Sequence, residues 1–151
     1  MHKESHGVVS YVAKLDAVRL LPRGKKEEHL LIIAVSYDSS SLNKRIDSLQ
    51  KVGHIVLPAS ALAPARKAIE SANYHVLLIG ATVPKADRKA LATLSRSLRP
   101  LSKIISVEFP KTPSLLQADK HVVAGDEPAV LMAVASLLSG DAESDLEERR
   151  R

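Results

Sequence analysis

Two hydrophobic patterns alternate along the chain. Leu30-Leu31-Ile32-Ile33-Ala34-Val35 is an unbroken apolar run of strand length, as expected for a strand covered on both faces. Asp38-Ser39-Ser40-Ser41 then supplies helix-capping side chains, and Leu42, Ile46, Leu49 and Val52 follow on one helical face until Gly53 ends the element. The unit repeats as Ile55-Val56-Leu57 and a helix carrying Leu62, Ala65, Ile69 and Ala72, with Pro64 tolerated in the first turn. Val76-Leu77-Leu78-Ile79 leads into a third helix marked by Leu91, Leu94, Leu98 and Leu101 and ended near Pro100. Ile104-Ile105-Ser106-Val107 reads as the fourth strand and Lys120-His121-Val122-Val123-Ala124 as the fifth, after which Pro128 opens a helix from Ala129 to Leu138.

Between the fourth and fifth strands the pattern fails. Pro110 and Pro113 leave room for little more than one helical turn before Asp119, so the fourth helix is expected to be stunted or missing. Alternating units of this size predict an α/β domain over residues 29–139, a single doubly wound parallel five-stranded sheet with helices on both faces. Residues 1–28 read as an N-terminal arm and linker, because Pro22 and Gly24 break regular structure and Lys25-Lys26-Glu27-Glu28 has little to bury. Residues 140–151, acidic and then triple-arginine, read as a charged C-terminal tail.

Composition narrows the function classes. The 151 residues are 45% hydrophobic but only 3% aromatic, so the core is aliphatic and base-stacking platforms are not expected. With no cysteine there is neither a disulfide framework nor a thiol nucleophile. Apolar stretches fall short of the ~20 residues that cross a bilayer, and no secretory pattern opens the chain. The expectation is a cytoplasmic protein without membrane contact. A net charge of +5 permits weak attraction to anions.

The stretch Val35 to Gly80 is similar in spacing to a response-regulator receiver domain. Gly53-His54 stands where the first helix of that family ends, Pro84 falls four residues after the acceptor position, and Ala124-Gly125-Asp126-Glu127-Pro128 occupies the region of its Lys-Pro motif. The resemblance covers residues 29–139 and implies a flavodoxin-like, receiver-like sheet in the order 2-1-3-4-5, with a shortened fourth helix. A phosphorylatable receiver needs a carboxylate nucleophile, an acidic pair for Mg²⁺, a hydroxyl on the fourth strand and a lysine on the fifth. Those positions here are Gly80, Ser36 with Tyr37, Ser106 and Ala124. Only Asp38 and Ser106 keep suitable chemistry. The resemblance therefore implies a degenerate pseudo-receiver without phosphoacceptor, catalytic residue, metal or cofactor, acting as a phosphorylation-independent protein-interaction module in signal transduction of the two-component type. Its expected partners are proteins, a second copy of the chain among them.

Other readings compete with this one. Ligands in such sheets gather at the carboxyl ends of the strands, where Asp38, Thr82, Ser106, Glu108 and Asp126 stand, and a small-ligand sensor at that rim is the alternative. Asp38 and Asp126 are equally explained as helix caps. His29, His54, His75 and His121 mark strand entries, a placement that suits zinc less well than solvated edge histidines. Lys85, Arg88, Lys89, Arg96, Arg99 and Lys103 form a basic face fit for an acidic partner. Without a DNA-binding motif or stacking aromatics, that face argues against nucleic acid. Met132 and the stripe Val130, Leu131, Val134, Leu137 and Leu138 are expected to pack the last helix on the sheet. No nucleophile elbow, phosphate loop or metalloprotease helix is present, so no enzymatic activity is expected.

Overall fold

The computed structural model describes residues 29–137; the expected arm at 1–28, Leu138 of the last helical stripe and the tail at 140–151 lie outside them. The elements are β1 (Leu31–Val35), α1 (Ser39–Lys51), β2 (Ile55–Ala59), α2 (Leu62–Ser71), β3 (Val76–Ile79), α3 (Lys85–Leu98), β4 (Lys103–Glu108), β5 (Lys120–Val123) and a last helix, α4, at 127–137. Every strand pair is parallel and the order is β2-β1-β3-β4-β5, as expected. Parallel pairing demands crossovers that bury both faces of the central strands, which is why β1 and β3 are apolar at every position. Leu31, Ile33, Leu77 and Ile79 enter one core with Ala65, Ile69 and Leu91 of α2 and α3. Ile32, Ala34 and Leu78 enter the other with Leu42 and Leu49 of α1 and Val130 and Val134 of α4.

Element ends follow local chemistry. The Asp38 carboxylate caps α1 by accepting from the Ser41 N–H at 2.9 Å and the Ser41 hydroxyl at 2.7 Å. Gly53, at φ +98, makes the left-handed turn that follows α1. Four residues of the expected apolar stripes face solvent instead. Val52 lies past the end of α1, Leu98 is exposed at the last position of α3, Leu101 lies beyond the break at Pro100 and is 93% exposed, and Met132 points outward from α4.

The crossing from β4 to β5 contains no helix; 109–119 passes through turns. Side chains of its surroundings take over the hydrogen bonding that a helix supplies internally. Glu108 Oε2 accepts the Leu115 N–H at 2.9 Å, Arg96 donates to the Gln117 carbonyl at 2.6 Å, and Asp119 accepts the Ile104 N–H at 2.7 Å. Leu115 fills the core space.

Two of the strand-entry histidines hold strand backbone. His54 Nδ1 accepts the Leu30 N–H at 3.1 Å, and His75 Nδ1 accepts the Leu31 N–H at 2.9 Å. His54 is buried, contrary to the expected solvated edge histidine. Burial and then the charge of His29 lower its pKa, so the ring is held neutral as an acceptor.

Candidate functional site

Gly80 follows β3 directly, and its N–H donates to the Val35 carbonyl at 2.7 Å. A Cβ on this residue would stand 2.8 Å from that carbonyl oxygen and 3.3 Å from Ser36 Cβ. Glycine is therefore a steric requirement at the centre of the rim. The same Cβ would lie 3.5 Å from Arg45 Nη1, so a guanidinium stands beside the place where an acceptor side chain would start. Arg45 is buried and forms a two-pronged pair with Glu127, with both bonds at 3.3 Å, tying α1 to α4.

A second buried guanidinium joins the other side. Arg88 reaches under the rim, donating to the Gly80 carbonyl at 2.6 Å, to the Val107 carbonyl at 3.0 Å and to the Ser106 hydroxyl. The Ser106 hydroxyl donates in turn to Glu108 Oε2 at 2.8 Å. Glu108 collects further bonds from the Ser114 hydroxyl, the Leu115 N–H and the His121 ring. Burial alone would raise the Glu108 pKa, but the Leu115 N–H, His121 and Ser106 outweigh it and hold the carboxyl at about 2. Burial lowers the Arg88 pKa, with the Glu108 charge opposing the shift.

The remaining rim residues bond one another. Thr82 Oγ1 accepts the Tyr37 N–H at 2.9 Å and shares a hydrogen bond with Ser36 Oγ at 3.1 Å. The Tyr37 hydroxyl donates to Asp87 at 2.8 Å; burial first, and then this carboxylate, push its pKa to about 12. Asp126 caps α4 through the Ala129 N–H at 3.0 Å, and Ala124 offers only a methyl group. Thus Thr82 meets Ser36, and Ser106 meets Glu108, while Asp38 and Asp126 are each spent on a helix start. Arg45, Arg88 and Asp87 were not singled out as rim residues from the sequence. For the two arginines the signal was a charged residue at an inward position of an apolar stripe.

Glu108 in this network, and His54 at the opposite end of the sheet, are expected to make the fold less stable in acid. Glu108 has a folded pKa below its ordinary 4.5, so its contribution is complete above 4.5 and lost as pH falls toward 2. His54 has a lowered pKa, so protonation favours the unfolded chain once pH drops below the ordinary 6.5. Urea unfolding followed across pH should show midpoints falling in two stages. Glu108→Gln should remove the lower stage, worth on the order of 2 kcal/mol, and an unchanged lower stage would assign it elsewhere.

The architecture is that of response-regulator receiver domains. Similar solved structures include a CheY-like receiver domain from Methanospirillum hungatei JF-1, with TM-score 0.65 and 20% identity over 76% of this chain and 97% of that one. Response regulator TrrA from Thermotoga maritima, solved with Mg²⁺ and beryllofluoride, gives TM-score 0.61 and 21% identity over 72% of this chain and 97% of its own. A two-component response regulator from Clostridium difficile gives TM-score 0.62 and 17% identity over 72% and 93%. No protein-family model and no curated protein matches the chain.

Proposed function

We propose that this chain is a pseudo-receiver: a phosphorylation-independent, non-enzymatic module of cytoplasmic signal transduction that works by binding proteins. The observation that carries the reading is the closure at Gly80, where strand-end backbone occupies the space an acceptor side chain needs. Three further features support it. Ser36 and Tyr37 carry no carboxylate for a metal, and Ala124 carries no ammonium for a phosphoryl oxygen. Arg45 and Arg88 place fixed guanidinium charge in and beneath the rim, and Glu127 and Glu108 balance it internally. The small-ligand alternative is disfavoured because Thr82, Ser106, Glu108, Asp38 and Asp126 already have partners within the fold.

The test combines Mg²⁺ with acetyl phosphate and, separately, with beryllofluoride. No phosphoprotein should form, and amide resonances of residues 36–38, 80–82, 106 and 124 should stay in place. A stable acyl phosphate on Asp38, or beryllofluoride shifts confined to the rim, would overturn the reading.

A further inference from the structure

The turn-only crossing between β4 and β5 leaves a groove of about 530 Å³ against α3, lined in part by Lys85, Lys89, Pro113, Leu115, Leu116 and Gln117. We propose that this groove docks an acidic peptide segment of a partner protein, seating one aliphatic side chain between two carboxylates. The proposal rests on the interaction-module reading and gives that module's partner a chemistry.

Charge points to the occupant. Lys85 and Lys89 are exposed and one helical turn apart, so their ammonium groups flank the same stretch of groove. Among the described residues, no carboxylate comes within 4.0 Å of either ammonium. The acid nearest to them in sequence, Asp87, is engaged by the Tyr37 hydroxyl. Arg88 lines the groove from below with its guanidinium committed to the strand ends and balanced by Glu108, so the charge offered to a peptide comes from Lys85 and Lys89. The two lysines thus present ammonium groups that no carboxylate among the described residues pairs.

Apolar surface supplies the second element. Leu115 turns into the core, whereas its neighbour Leu116 is 92% exposed at the groove's lip beside Pro113. Lysine stems extend the aliphatic wall beneath their charged heads. Exposed ion pairs contribute weakly, so recognition needs the apolar contact as well. Among the described residues no aromatic ring lines this groove for stacking a base, which favours an acidic peptide over a single-stranded nucleic acid.

Fluorescence anisotropy with a labelled synthetic peptide, two leucines set among aspartates and glutamates, tests the groove directly. Saturable binding is expected with Kd of about 10–100 µM at low salt, weakening several-fold as ionic strength rises. The double variant Lys85→Glu, Lys89→Glu should weaken it about tenfold or more, and Leu116→Asp about tenfold. These side chains are exposed, so far-UV circular dichroism of the variants should match the parent. No saturable binding, or affinity indifferent to all three substitutions, overturns the proposal. So does tighter, variant-sensitive binding of an oligonucleotide at the same salt. Repeating the titration with Mg²⁺ and beryllofluoride separates the two readings: an unchanged Kd supports both, whereas a shifted Kd refutes phosphorylation independence and leaves the groove standing.

Discussion

Arg88→Met should destabilise the domain by about 3 kcal/mol, read as a lowered urea midpoint at unchanged slope. Methionine retains much of the arginine stem, so packing in the helix–sheet interface changes little. What disappears is the donor set that joins the ends of β3 and β4. The Gly80 carbonyl keeps a weaker bond from the Val83 N–H at 3.2 Å, but the Val107 carbonyl and Ser106 lose their arginine contact. Each buried acceptor left short costs about 1–3 kcal/mol. Glu108 also loses the cation that partly balances it. Arg88→Lys should recover no more than about half, because an ammonium lacks the planar fork that serves Gly80 and Val107 together. A loss below about 1 kcal/mol for the methionine variant would show that water replaces the guanidinium at no great cost.

Gly80→Asp should fail to create a phosphorylation site and should cost about 2–3 kcal/mol. The added Cβ meets backbone, the Val35 carbonyl at 2.8 Å, and backbone yields only by displacing β1 from β3. Gly80→Ala carries the same Cβ without charge and should share most of the loss. Any difference between the two reports the new carboxylate's attraction to Arg45, whose Nη1 lies 3.5 Å from the Cβ position. Chemical denaturation of the pair, with acetyl phosphate labelling in Mg²⁺, gives both quantities. Phosphoryl incorporation into the aspartate variant would mean that the scaffold still accommodates the reaction.

The scaffold was legible because its strands are continuous apolar runs punctuated by glycine and proline. Leu30 to Val35, Val76 to Ile79 and the capped turn at Asp38 needed no long-range information. The missing helix was legible from Pro110 and Pro113. Register at helix ends was less so: spacing alone carried the third helix through Leu101, whereas the break at Pro100 leaves that residue in solvent. The positions of Gly80, Ser36 and Tyr37 at the rim were legible from spacing, but the closure around Gly80 was not, since it depends on the separation of two strands. Arg45 and Arg88 show the limit most clearly. Each lies on an inward stripe, Leu42-Arg45-Leu49 and Arg88-Leu91-Ala92-Ser95, yet a charged side chain is read as solvated by default. Their burial is stabilised by Glu127, 82 residues from Arg45, and by Ser106, 18 residues from Arg88.

The helix-free crossing sets where the native state first comes apart. A helical crossover opens as a cooperative block, since each internal bond supports the next. Here the passage from β4 to β5 is moored at separate points by Glu108, Arg96 and Asp119, and β5 has a sheet neighbour on one side only. Releasing the moorings exposes little of the two cores, which are built chiefly on β1, β3 and β4. Residues 109–123 are therefore expected to open as a unit below the free energy of the whole domain, and hydrogen exchange should show their amides exchanging ahead of those in the central strands.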